Sequence, residues 1–287
     1  MRLSSDNTAV VLDSTADLPD PAARHPNWHL VPLYVHFGDE TLRDHVELSA
    51  EEFYRRLRAS GAAPKTSQPT PADFERAFRE LDRFDRIVCV LISGRLSGTV
   101  ESARQAAAAA GGGERVTVID SESVSGGVVI LADAIQRRLE RGTTDEEIDE
   151  LVTRFRRESG LLFTVETLDY LVRGGRVGKA AGFAGELLSV KPILAIRGGE
   201  VVPLKRVRGR AKALRELERL FVEATDDAPD LHVGLAHADA AAEADDLGGR
   251  ITAARPQASV DFRAELGPVI GTHGGPGTIG LFWFRDS

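Results

Sequence analysis

The sequence predicts an α/β fold in two parts. Residues 1–160 are expected to form an α/β/α domain on a parallel sheet, and residues 161–287 an α+β domain with a mixed, largely antiparallel sheet. Three observations carry this expectation. Short apolar runs at 9–12, 86–91 and 116–119 each end in a polar cluster and lead into a helix-like stretch, the rhythm of a parallel sheet covered on both faces. From residue 161 the apolar runs at 161–165, 192–196, 201–205, 232–236, 259–264 and 278–284 have fewer helices between them, and Gly198-Gly199 reads as a tight hairpin turn. The length, 287 residues, is close to where one hydrophobic core divides into two.

In chain order, the first run ends in Asp13-Ser14-Thr15. Residues 28–37 and 46–48 break the rhythm and are expected to form an arm across the first domain. Three helix starts are marked by capping residues: Ser49 with Glu52, Thr70 with Pro71 and Asp73, and Thr144 with Glu147. Lys65-Thr66-Ser67-Gln68-Pro69 reads as a rigid loop ahead of the second of these helices. The run at 86–91 ends in Ser93-Gly94 and opens a helix through Leu96-Ser97-Gly98-Thr99. The run at 116–119 ends in Asp120-Ser121, with Ser123 and Ser125 just beyond.

A net charge of -8 argues against a chain that coats DNA or RNA, and no nucleic-acid partner is expected. Charge is unevenly placed, however: residues 173–212 carry +8 and the rest -16. Such a basic run is either a solvated face or a surface for an acidic partner or a phosphate. The one cysteine, Cys89, lies in an apolar run, which leaves neither a disulfide framework nor a cysteine zinc site. The start, MRLSSDNTAV, lacks the layout of a secretory signal, and no stretch approaches membrane-spanning length. A cytoplasmic location with at most transient membrane contact is the expectation.

In open parallel sheets, ligands sit beyond the carboxyl ends of the strands, where helix N-termini offer free N–H groups. The hydroxyl-rich clusters after the three strands, with the 65–69 loop, are expected to converge there. A single serine or threonine after a strand usually only caps a helix. Several together, without a fixed lysine, suit an anionic head group held by charge-assisted hydrogen bonds. Ser97 lacks the Gly-x-Ser-x-Gly context of a nucleophile elbow, which weakens a hydrolase reading. His273 lies in the glycine-rich loop at 270–277 and could supply a base or a donor. G-x-x-x-x-G-K-[ST] is absent, which excludes the usual ATP loop. No metal-ligand triad is evident, although Asp13 and Asp120 at strand ends keep a weak metal alternative open.

Taken together these motifs resemble the DegV family of bacterial fatty-acid-binding proteins, the substrate-carrying subunits of fatty acid kinase. The resemblance runs nearly end to end through Asp13-Ser14-Thr15-Ala16-Asp17-Leu18, Val31-Pro32-Leu33, Lys65-Thr66-Ser67-Gln68-Pro69, Leu96-Ser97-Gly98-Thr99, Val118-Ile119-Asp120-Ser121, Arg173-Gly174-Gly175-Arg176, Lys191-Pro192 and Gly271-Thr272-His273-Gly274-Gly275-Pro276-Gly277. It implies the two-domain fold given above and a long acyl chain buried between or within the domains. It also implies that Thr66 and Ser97 bind the fatty-acid carboxylate, that His273 and Arg176 stand near the head group, and that Arg208 faces the catalytic subunit of a fatty acid kinase. The family often has a Ser-Ser pair where this chain has Ser93-Gly94, which puts a role for a second serine there in doubt. On this reading the chain is not itself an enzyme, carries no cofactor or metal, and hands on an acyl phosphate. The alternatives are a serine-dependent lipid hydrolase using Ser97 and His273, and a lipid-sensing protein without a kinase partner.

Overall fold

The computed structural model describes residues 2–60, 63–109, 115–183 and 190–287. The chain begins with β1 (Thr8–Asp13), the short helix α1 (Pro21–Arg24) and β2 (Trp28–Val31), followed by β3 (Tyr34–Phe37), β4 (Glu40–Arg43), α2 (Ala50–Ser60) and β5 (Lys65–Ser67). Next come α3 (Pro71–Glu80), β6 (Arg86–Leu91), α4 (Thr99–Ala109), β7 (Val116–Asp120), α5 (Gly126–Arg141) and α6 (Asp145–Glu158). The remainder is β8 (Gly160–Thr164), α7 (Asp169–Arg173), β9 (Val190–Arg197), β10 (Glu200–Arg208), α8 (Arg210–Ala224), β11 (Leu231–His237), α9 (Ala241–Ala254), β12 (Ser259–Glu265), α10 (Pro268–Gly274) and β13 (Ile279–Arg285). Among the described residues no helix is long and apolar enough to cross a membrane.

As expected, the fold is α/β with a parallel sheet followed by a mixed, largely antiparallel one. The first sheet runs β2-β1-β6-β7, parallel throughout. The second runs β10-β9-β8-β13-β11-β12, with only β11 and β12 parallel. Alternation explains why the parallel strands read as unbroken apolar runs. Val10, Leu12, Val88 and Val90 join α5 in one buried cluster, while Ala9, Val11, Ile87 and Cys89 join α3 and α4 in another. Helix α5 is buried along most of its length because it is sandwiched between β1 and β6 on one side and β11, β12 and β13 on the other. The far face of the second sheet is covered by α8 and α9.

The three marked helix starts form as expected. Thr70 with Asp73 and Thr144 with Glu147 make reciprocal capping boxes, and the Ser49 hydroxyl accepts from the Glu52 N–H at 3.2 Å. Gly198 and Gly199, both at positive φ, make the turn between β9 and β10.

Two local expectations are corrected. Residues 28–37 are not one arm: Trp28–Val31 is the edge strand of the parallel sheet, paired with β1, and only Tyr34–Phe37 leaves it for a small antiparallel sheet β4-β3-β5. The crossover helix between β1 and β2 has four residues, too few to display a helical period. Likewise Lys65–Ser67 is a strand paired with β3 rather than a loop. Three polar residues at a sheet edge carry no apolar alternation to announce them.

Candidate functional site

A cavity of about 390 Å³ lies where the sequence placed its ligand site, beyond the carboxyl ends of the parallel strands. Ile92 after β6, Leu33 after β2, and Val124 and Ser125 after β7 contribute from that side. The opposite wall is the second sheet, seen face-on through Leu161, Phe163, Ile196, Gly280 and Phe282. Helix α10 closes it with Val269, Ile270 and His273. A tail-sized apolar space with a few polar groups is the usual composition of a small-molecule site.

Four predicted residues meet here: Thr66, Ser97, Arg176 and His273 all line the cavity. Thr66 Oγ1 and His273 Nε2 are hydrogen-bonded at 2.8 Å across 207 residues of sequence. Burial, with the Arg176 guanidinium nearby, pushes His273 down to about 4, so its ring is neutral at pH 7. When the neutral ring donates from Nε2, the Thr66 hydroxyl proton is left to turn toward an anion. His273 Nδ1 is buried without a hydrogen-bond partner among the described residues. The ring packs so closely on Gly174 that a Cβ there would collide with Nδ1, which explains a glycine beside the predicted arginines.

Arg176 is held by its own surroundings. Its Nε donates to the Leu96 carbonyl at 3.0 Å and its Nη1 to the Gly174 carbonyl at 2.7 Å, which ties the second sheet's loop to the segment carrying Ser97. Ser97 Oγ is 2.8 Å from Thr99 Oγ1, one residue inside α4. Among the described hydrogen bonds neither hydroxyl nor imidazole joins Ser97 to His273, so the pair is not arranged as nucleophile and base. His273 itself lies in the short helix α10 rather than in a loop.

Of the other predicted polar clusters only Ser125 reaches the cavity lining, and the rest do not converge there as expected. Asp13 bonds the N–H of Ile92 at 2.7 Å and of Thr15 at 3.0 Å, and burial raises its carboxyl to about 6. Ser14 Oγ accepts from the Leu33 N–H at 2.9 Å. Ser93 Oγ donates to the Gly199 carbonyl at 2.8 Å, docking the β9–β10 turn onto the parallel sheet. Asp17 accepts from Ser125 Oγ and from the Gly267 N–H, fixing the entry to α10. These groups fasten the loops that shape the cavity. Asp120, the other half of the weak metal alternative, is occupied in accepting from Gly94 and Glu122 N–H groups.

Sequence reasoning did not single out Ser67, Gln68 and Thr278, which also line the cavity. The first two lie in the quoted 65–69 motif and were within reach; Thr278 carries no signal of its own. An adjoining cavity of about 350 Å³ shares Thr66, Arg176 and His273 and adds Lys65, Tyr170 and Arg173, so basic groups stand on the far side of the Thr66–His273 pair. Arg208 is elsewhere, exposed at the last position of β10.

The model of a family described as an uncharacterised protein, DegV family, matches residues 7–286. The chain belongs to the DegV family. It is 37% identical over 284 residues to a DegV domain-containing protein of Deinococcus radiodurans, covering 95% of this chain and 96% of that one. It is 35% identical over 281 residues to a protein of Thermotoga maritima named fatty acid-binding protein, covering 95% and 96%. Among solved structures, a DegV family protein from Thermus thermophilus described by its fatty acid binding superposes with a TM-score of 0.91 at 35% identity, over 97% of this chain and 99% of the other.

Proposed function

We propose that this DegV family member binds a long-chain fatty acid, with its carboxylate at Thr66 and Ser97, beside His273 and Arg176, and its tail in the apolar part of the cavity. The observation that carries the reading is one cavity whose lining gathers Thr66, Ser97, Arg176 and His273, with Ser67, Gln68, Ser125 and Thr278 as further polar groups, on a wall that is otherwise mostly aliphatic and aromatic. The relatives named for fatty acid binding support it. Burying a tail of about 14 methylenes at ~0.8 kcal/mol each gives on the order of 11 kcal/mol before ordering costs. A hydrogen bond to the charged head adds only ~1.5–3 kcal/mol, so the tail supplies affinity and the hydroxyls supply orientation.

In the same reading the protein is a non-catalytic subunit. It presents the carboxylate to a separate ATP-dependent fatty acid kinase and carries the acyl phosphate away. The second cavity, with Lys65 and Arg173 beyond the Thr66–His273 pair, gives a basic approach to the carboxylate. Exposed Arg208 would face the kinase. Several cations of the +8 segment are already matched internally, including Lys179 with Glu200, Lys205 with Glu216 and Arg210 with Glu243, which narrows the surface left for a partner. Residues 1–160 and 161–287 are treated as two domains that enclose the ligand, a division supported by the change to antiparallel pairing at β8.

Native mass spectrometry of protein purified from bacterial cells tests the binding. A co-purified fatty acid mass, intact after long incubation, is the expected result; an empty protein that also fails to take up added fatty acid contradicts it.

A further inference from the structure

Thr278, the residue before β13, and Gly280 and Phe282 on the face of β13 turned toward the cavity stand in succession. Thr278 is at the His273 end: a Cβ on Gly274, next to His273, would lie 2.9 Å from Thr278 Oγ1. Phe282 is about 14 Å further along, at ~3.4 Å per residue. The next residue in the row, Phe284, is fully buried against the ring of Phe155 at 5.1 Å and does not line the cavity. Because position 280, paired with Phe163 across the strands, has no side chain, the middle of the row has room for the ring of Phe282.

The Phe282 ring is folded back along its own strand into a notch that two glycines make. A Cβ on Gly280 would lie 2.9 Å from its Cζ and 3.1 Å from its Cε2. Across the notch, a Cβ on Gly126 in the first turn of α5 would lie 2.8 Å from its Cδ2 and 2.9 Å from Phe262 Cδ1. A glycine at the start of a buried helix weakens that helix, and its use here is to admit these rings. Resting on the fatty-acid reading, we infer that Phe282 is the floor of the acyl shaft and sets the longest tail the protein accepts, with Gly126 and Gly280 holding the ring across the shaft's end.

The test titrates saturated fatty acids of about 12 to 22 carbons into delipidated wild type, Phe282→Ala, Phe282→Leu and Phe284→Leu, with folding checked by thermal melts. Phe282→Leu is included because removing a whole buried ring is strongly destabilising. In wild type, affinity should rise with length and then fall past a ceiling. Phe282→Ala should raise that ceiling by about two to four carbons and Phe282→Leu by a smaller step, shorter acids changing by no more than a few-fold, while Phe284→Leu, outside the cavity lining, leaves the ceiling in place. An unmoved ceiling in the folded Phe282 variants overturns the inference, as does a ceiling moved as far by Phe284→Leu. If wild type binds none of these acids, the fatty-acid reading falls and this inference with it; if wild type binds and the ceiling stays, only the inference falls.

Discussion

The parallel sheet meets the cavity end-on, whereas the mixed sheet meets it side-on. At the ends of β1, β6 and β7 the chain must turn into helices, so it exposes N–H groups and short hydroxyl side chains, and buried carboxylates such as Asp13 and Asp17 tie those turns down. On the face of β8, β9 and β13 every second residue points at the cavity, and Leu161, Phe163, Ile196 and Phe282 give it an apolar wall. A strand end is suited to holding a charged head and a strand face to lining a tail. Loops from both parts, carrying Ser97 and Arg176, are joined at the Leu96 carbonyl where these two functions meet.

The sharpest way to break this comparison is to remove tail rather than protein. Shortening a saturated acid from about sixteen to about eight carbons takes away about eight methylenes, ~6 kcal/mol, so affinity should fall on the order of 10⁴-fold. Calorimetry with both acids checks it. A change of less than tenfold would mean that the strand faces do not hold the tail.

A smaller effect is expected at the surface. Arg208→Ala should leave fatty-acid affinity unchanged and lower kinase-coupled turnover several-fold, and added salt should weaken the wild-type complex because exposed charges are screened over ~10 Å at 0.1 M. The two assays are run side by side on both proteins. Lost lipid binding would bring Arg208 into the ligand site, and full retention of both activities would return the basic run to a solvated face.

The buried carboxylates give the smallest and most specific signal. Burial raises Asp44 to about 7 and Asp13 to about 6, while Asp44 also feels the neighbouring His45. A carboxyl with a raised folded-state value holds its proton where the unfolded chain has lost it, so its contribution to stability declines as pH rises from about 4 to 7. Burial of His273, lowered to about 4, acts in the opposite sense between about 4 and 6.5. Asp44→Asn should therefore flatten the decline in Tm between pH 4 and 7. A slope unchanged by the substitution would show that Asp44 titrates normally.

The end-on half of this arrangement was legible in the sequence because it is written in local chemistry. Capping pairs such as Thr70–Asp73, and hydroxyls immediately after apolar runs, follow from hydrogen-bond needs satisfied within a few residues. Ser97 lies in such a segment, after the run at 86–91, whereas Thr66 does not, and it was the family resemblance that assigned both to the carboxylate. The side-on half was not legible residue by residue. Leu161 and Phe282 look like any core residues until β8 and β13 are paired, and Leu161 meets Phe282 only through that register. The convergence of serines was overstated for the same reason: Ser93 is used by the carbonyl of Gly199, a partner 106 residues away that no local motif announces.

The central claim is that Thr66 and Ser97 recognise a carboxylate while the sheet face recognises a chain. It is tested most directly by calorimetry of one fatty acid and the fatty alcohol of equal length against wild type and the Thr66→Ala/Ser97→Ala double variant. Wild type should prefer the acid, and the double variant should lose about 10- to 1000-fold in affinity for the acid, roughly 1.5–4 kcal/mol, with a much smaller loss for the alcohol. An acid preference that survives intact in the folded double variant would contradict the account.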